Sequence, residues 1–205
     1  MSYHQYGLYL IPPPHLLHPI GLAHQLMKTE FNSRIAGAFM VHCTVKGFFK
    51  LADGATPADF TPALDDLFER TPAFQTALTG LLDINRGEGK SSILLGMDLT
   101  RAFHDLHNAV WEVVQPYIAP DCLFSPVEPA GPNFLPHITV AQWDAPSDPG
   151  LHAQLAGLCQ YIYDTSLKGA FRASDLQLIE FYSEDWAGNW WETLRFKHLK
   201  GWQLA

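Results

Sequence analysis

No stretch of the chain strings together the roughly 18 apolar residues that a membrane-spanning helix needs. Met1–Leu10 also lacks the basic start and long apolar run of a secretory signal. A cytoplasmic protein is the expectation. Cysteine is scarce: Cys43, Cys122 and Cys159 are widely separated and include no CxxC pair, so neither a zinc knuckle nor a dithiol redox couple has a sequence basis. They read as small buried hydrophobes. Positive charge is scarce as well, with 13 Lys and Arg against 21 Asp and Glu and a formal net charge of -8. Affinity for long nucleic acid grows with the number of phosphates neutralised, so any nucleic-acid substrate is expected to be short. There is no low-complexity tract and no repeat with a period of roughly 20 to 50 residues, which sets aside solenoids and propellers.

What is present suits a soluble enzyme. At 205 residues, with 47% hydrophobic residues and 13% aromatics, the chain can bury one substantial core, as a single domain of two packed lobes. The opening YGLYLIPPP reads as a strand stopped by prolines. Apolar residues at helical spacing predict a helix over Pro19–Phe31, and a Val- and Phe-rich stretch predicts a strand over Ala38–Leu51. Thr56-Pro57 and Thr61-Pro62 start a helix running to about Arg70. Phe74–Ile84 and Ser91–Asp98 read as strands joined by a turn at 85–89, and Thr100 caps a helix that ends before Pro116. Residues 121–134, rich in Pro and Gly, form the candidate flap or linker. A strand over Leu135–Trp143, a helix from about Asp148 to Tyr163, and two or three strands within Phe171–Trp202 complete an α+β chain.

One short pattern occurs twice. His42-Cys43-Thr44-Val45 and His137-Ile138-Thr139-Val140 share the form His-x-Thr-Val, one in each half of the chain and each in a predicted strand. Side chains at i and i+2 of a strand share a face, about 6 to 7 Å apart. His42 therefore projects with Thr44 and His137 with Thr139, while Cys43, Val45, Ile138 and Val140 turn to the core. Splitting a cyclic phosphodiester needs one group to take a proton from water and another to give a proton to the departing oxygen. An imidazole suits both tasks, since its ordinary pKa near 6.5 keeps both forms accessible at neutral pH. The threonine hydroxyls can donate to the non-bridging phosphate oxygens.

With its paired HCTV and HITV strands the chain resembles the two-histidine (2H) phosphoesterase superfamily, which includes RNA 2',5'-ligase-like proteins and cyclic nucleotide phosphodiesterases. The YGLYLIP strand, Lys46-Gly47 after the first motif and Pro136 before the second are similar to common family features. The resemblance implies a bilobal α+β fold, two antiparallel-rich sheets lining a central cleft with helices on the outside. It also implies a catalytic set of His42, Thr44, His137 and Thr139, and no cofactor or metal.

Strand parity adds Lys46, which reads equally as a phosphate-facing cation or a solvated strand-end lysine. Tyr9, Trp143 and Tyr182 read either as stacking platforms for a base or as core and rim packing. The expected activity is hydrolysis of a 2',3'-cyclic or related small cyclic nucleotide phosphate by a monomer. One alternative is an RNA-end processing enzyme, a 2',5'-RNA ligase or an oligonucleotide exonuclease, which the low positive charge disfavours unless Arg34, Lys46, Arg86 and Lys90 form a local basic patch; the other is a non-catalytic nucleotide-binding module. His104 and His107 share a helix face and form a weaker metal-ligand pair, without a third ligand at a diagnostic spacing. His4, His15, His18, His24, His152 and His198 read as surface or turn residues.

Overall fold

The computed structural model describes residues 4–87, 90–124 and 130–205. Two four-stranded sheets, both antiparallel throughout, carry the fold. The first has the order β2-β1-β7-β8, from Cys43–Phe49 (β2), His4–Ile11 (β1), Asp175–Tyr182 (β7) and Arg195–Gln203 (β8). The second has the order β5-β4-β3-β6, from His137–Ala141 (β5), Lys90–Met97 (β4), Phe74–Gly87 (β3) and Ala170–Ala173 (β6). The edge strands β2 and β5 touch one another, so the two His-x-Thr-Val segments meet where the sheets meet.

The central strands of the first sheet, β1 and β7, are buried on both faces. On β1, Leu8 and Leu10 enter the main core while Tyr9 points the opposite way. On β7, Leu176 and Leu178 join that core while Ile179 and Phe181 accompany Tyr9. Period-2 alternation thus serves two apolar layers. The smaller layer collects Tyr9, Ile35, Ile179, Phe181, Trp186 and Trp190, and it becomes the floor of the site described below.

Among the described residues four α-helices cover the sheets. Pro14–Phe31 (α1) packs on β5 and on the helix Pro149–Ile162 (α4), and Pro57–Arg70 (α2) packs on β8 and on the helix Arg101–Val114 (α3). Helix α3 also packs on β2, and α4 on β3. Helix α2 starts with a capping box, the Asp59 carboxylate accepting from the Thr56 amide and hydroxyl at 2.7 and 2.8 Å. It buries Phe60, Leu64 and Phe68 along one stripe. The Thr100 hydroxyl accepts from Phe103 N at the start of α3, and Asp148 caps α4 through Leu151 N.

The structure departs from the sequence expectations in several places. Helix α1 begins at Pro14 rather than Pro19, because a proline at the first helical position loses no bond that the helix would have made. The second strand starts at Cys43, not Ala38, so His42 stands just outside it. The segment before it turns back at an Ala38 N to Ile35 O bond of 3.1 Å. Strand β3 runs on to Gly87, through the first half of the expected 85–89 turn, and 88–89 lie outside the described residues. Strand β5 is confined to 137–141. Cys43 and Cys159 are buried as expected, but Cys122 is only half-buried and accepts from Lys50 N at 3.3 Å. Of the 121–134 segment, 131–133 form a short 3-10 turn, and 125–129 lie outside the described residues. Among the described residues no helix is long and apolar enough to cross a membrane.

Candidate active site

Each motif histidine is held by the same local device. His42 Nδ1 lies 2.7 Å from the Met40 carbonyl and His137 Nδ1 lies 2.7 Å from the Leu135 carbonyl, in each case two residues back. A carbonyl only accepts, so Nδ1 carries the proton in both rings and Nε2 is the basic nitrogen of each neutral imidazole. The His42 ring stacks on Phe39, with centroids 4.5 Å apart and planes at 18°, and meets the edge of Tyr9 at 4.6 Å. Two aromatic contacts and one carbonyl fix its orientation.

His42, Thr44, His137 and Thr139 all line one cavity of about 150 Å³. Tyr9, Ile35, Phe39, Phe48 and Trp190 give it a largely apolar wall. Burial dominates the electrostatics and lowers the His42 pKa to about 4, against a smaller raising effect of the Met40 carbonyl and with further lowering from His137 and His24. Tyr9 is fully buried, and burial pushes its phenol far above the ordinary range. It lines the cavity as a neutral ring.

Three of the residues picked by parity stand elsewhere. Lys46 is buried in the interior and is not among the residues lining the cavity. The register explains this: Tyr9 pairs with Thr44 but Leu8 pairs with Lys46, so β2 carries an extra residue there. A bulge of this kind reverses parity beyond it, turning Lys46 toward the core face of Leu8. Trp143 follows the end of β5 and is 37% exposed, and Gln142 lines the cavity instead. Tyr182 pairs with His4 while Tyr9 pairs with Gln177, five residues away on β7, or about 17 Å along the strand. Its ring packs against His4. Of the basic patch, Arg34 is exposed and Lys46 is interior, while the Arg86 and Lys90 side chains lie outside the described residues.

Two residues that hold the site were missed by sequence reasoning. His24, read as a surface residue, is 9% exposed on the buried stripe of α1. Its Nε2 donates to the Thr139 carbonyl at 2.9 Å, tying the helix to the second motif. Its place one residue from Ala23 and three from Met27 on the apolar face was the available signal. Asp144 had no signal at all. Its carboxylate accepts from the Ser33 hydroxyl at 2.9 Å, from Ile35 N at 2.9 Å and from Arg34 N. It thereby anchors the segment that carries Ile35, Phe39 and the Met40 carbonyl. Asp144→Ala is expected to cost about 2 to 3 kcal/mol of stability by stranding these donors. It should also lower kcat/KM by about 10- to 100-fold by misplacing the His42 ring. Urea melts and steady-state kinetics check both, and full activity in the variant would remove Asp144 from the site. The remaining pair from the sequence, His104 and His107, is committed to packing: His104 Nδ1 lies 3.2 Å from Asn108 Nδ2. His107 donates to the Val45 carbonyl at 2.7 Å and stacks on Phe134.

Two imidazoles with matched Nδ1 anchors, His42 just before β2 and His137 at the start of β5, thus line one cavity of a two-sheet α+β fold, each with a threonine two residues on. The chain belongs to the 2'-5' RNA ligase superfamily, whose family model matches residues 12–185. Members of that superfamily are enzymes acting on phosphodiesters.

Solved structures share the fold. Escherichia coli LigT in its apo form is 19% identical with a TM-score of 0.58, over 98% of each chain. TT0787 of Thermus thermophilus is 14% identical with a TM-score of 0.60, over 98% of this chain and 97% of that one. A protein solved as a phosphoesterase is 18% identical with a TM-score of 0.56, over 98% and 99%. No curated protein sequence matches the chain.

Proposed function

We propose that the protein hydrolyses 2',3'-cyclic or related small cyclic nucleotide phosphates to monoesters by two-histidine acid and base catalysis, without a metal. The observation that carries this reading is the twinned anchoring of His42 and His137, both at 2.7 Å to a carbonyl two residues back and both facing one cavity. In the proposed reaction the phosphorus sits between the two rings. His42 Nε2 takes a proton from the attacking water as the new P–O bond forms, and protonated His137 gives one to the ribose oxygen as the P–O bond to it breaks. The Thr44 and Thr139 hydroxyls donate to the non-bridging oxygens. The assignment of His42 as base follows from burial, which keeps its ring neutral at pH 7. The three free cysteines accord with a reducing compartment, and we take the protein to be a cytoplasmic monomer. The fold relative LigT has been solved in complex with 3'-AMP and with ATP, which supports a nucleotide as the ligand class.

A panel of nucleoside cyclic phosphates, with product positions read by phosphorus NMR, tests the reading. Turnover that survives EDTA supports it, whereas joining of RNA ends without hydrolysis would move the chain to the ligase side of its superfamily. The pH profile supplies a second test. A base must be deprotonated to act, so kcat/KM falls as pH drops through the pKa of His42 in the free enzyme. The acid limb is therefore expected near pH 4, with activity held at pH 5 while circular dichroism reports a folded chain. A limb at the ordinary histidine value would take the base role away from His42.

A further inference from the structure

The catalytic cavity, at about 150 Å³, falls below the roughly 300 Å³ at which small-molecule sites begin. It has room for a phosphate and its immediate surroundings, and the rest of a nucleotide must lie outside it. A larger groove of about 790 Å³ adjoins it, and Phe39, the ring that stacks on His42, lines both. His24, whose Nε2 bonds the carbonyl of Thr139, stands in the wall of this groove. The groove runs between α1 and the segment that Asp144 anchors, with Trp191 as an aromatic wall.

Its charge is opposite to that of the protein. In a chain of net charge -8, the groove presents Lys28 and Arg34, both exposed. Among the described residues neither is paired with a carboxylate, and Arg34 Nε donates only to Asn32 Oδ1 at 3.0 Å. The acid in its lining is Glu192, which accepts from Asn189. A nucleoside base is uncharged, so two cations in a groove that shares Phe39 with the phosphorus site call for a second anion.

We infer that this groove is a phosphate subsite for the 5'-phosphate of the nucleotide that bears the cyclic phosphate, with Lys28 and Arg34 as its ligands and Trp191 beside the base or sugar. The inference rests on the function proposed above. A 5'-phosphate reaches the groove either as a free monoester or as the diester that links the terminal nucleotide to a short RNA. The subsite thus accounts for a short, end-directed substrate on an acidic protein.

The test compares three substrates: a nucleoside 2',3'-cyclic phosphate, the same molecule carrying a 5'-phosphate, and a dinucleotide ending in the 2',3'-cyclic phosphate. Wild-type kcat/KM is expected to favour the second and third by at least about tenfold, the worth of one charge-assisted hydrogen bond, chiefly through KM. A preference for the dinucleotide alone would identify the linked diester as the source, and equal gains would identify the phosphate itself. In Lys28→Glu and Arg34→Glu the ratio should collapse toward one, while Lys28→Arg should keep it. A ratio that these reversals leave intact overturns the subsite. If none of the three is turned over, the proposed function fails and the subsite is still decided by calorimetry. Nucleoside 5'-monophosphate should bind wild type and lose at least about tenfold in affinity in Arg34→Glu. Equal or absent binding in both proteins overturns the inference.

Discussion

Replacing either His42 or His137 by alanine is expected to lower kcat/KM on a nucleoside 2',3'-cyclic phosphate by about 10²- to 10⁴-fold, the usual contribution of a positioned acid or base. The double variant should be little slower than the poorer single one, because the two rings act on the same phosphorus in one step and their losses do not add. Neither change should unfold the chain. Both side chains are half-buried at the cavity rather than in the main core, and His42→Ala also removes a ring whose burial disfavours its charged form. Thermal melts and far-ultraviolet circular dichroism establish that the variants are folded, and initial rates then report chemistry alone. An undiminished rate in either single variant would end the two-histidine reading. A loss confined to His42 would leave acid catalysis to a group other than His137.

The elements that depend on local chemistry were legible. The capped starts of α2, α3 and α4 and the two His-x-Thr-Val segments follow from side chains within a few residues of one another. The residues that line the cavity beyond the motifs were not, and the reasons are specific. Asp144 acts on Ser33, Arg34 and Ile35 across more than half the chain, and no periodicity encodes such a contact. The predicted second strand is shortened for another reason: Leu10 already pairs with Cys43 and β1 ends at Ile11, so 38–41 have no strand to pair with there. Phe39 and Trp190 come to the site from that segment and from the connection between β7 and β8, and both read in sequence as ordinary apolar residues. Counting in twos from His42 assigns Lys46 to the cavity. The count fails at the extra residue opposite Leu8, beside Gly47, a strand glycine that is the available mark of such a bulge.

That displaced lysine carries the largest expected gain in stability. Lys46 is 4% exposed, and among the described residues no carboxylate pairs with it. Burial lowers its pKa from 10.5 to about 8, with Cys122 acting weakly in the other direction. In the unfolded chain the ammonium keeps its proton up to the ordinary value, so between about pH 8 and 10.5 the unfolded state binds more protons than the folded one. Stability therefore rises with pH across that window. Below it both states are charged and the folded state bears the whole desolvation penalty, at most about 3 kcal/mol at 1.36 kcal/mol per pKa unit. Lys46→Met keeps an unbranched side chain of similar length in the core and removes the charge. It is expected to stabilise the protein by about 1 to 3 kcal/mol at pH 7. It should also abolish the rise between pH 8 and 10.5 and retain turnover, since the bulge directs Lys46 away from the cavity. Urea melts at pH 7, 9 and 10.5 on both proteins measure this. A variant less stable than wild type at pH 7 would mean that the ammonium is solvated or paired where it lies, and that the bulge places a functional cation rather than tolerating a buried one.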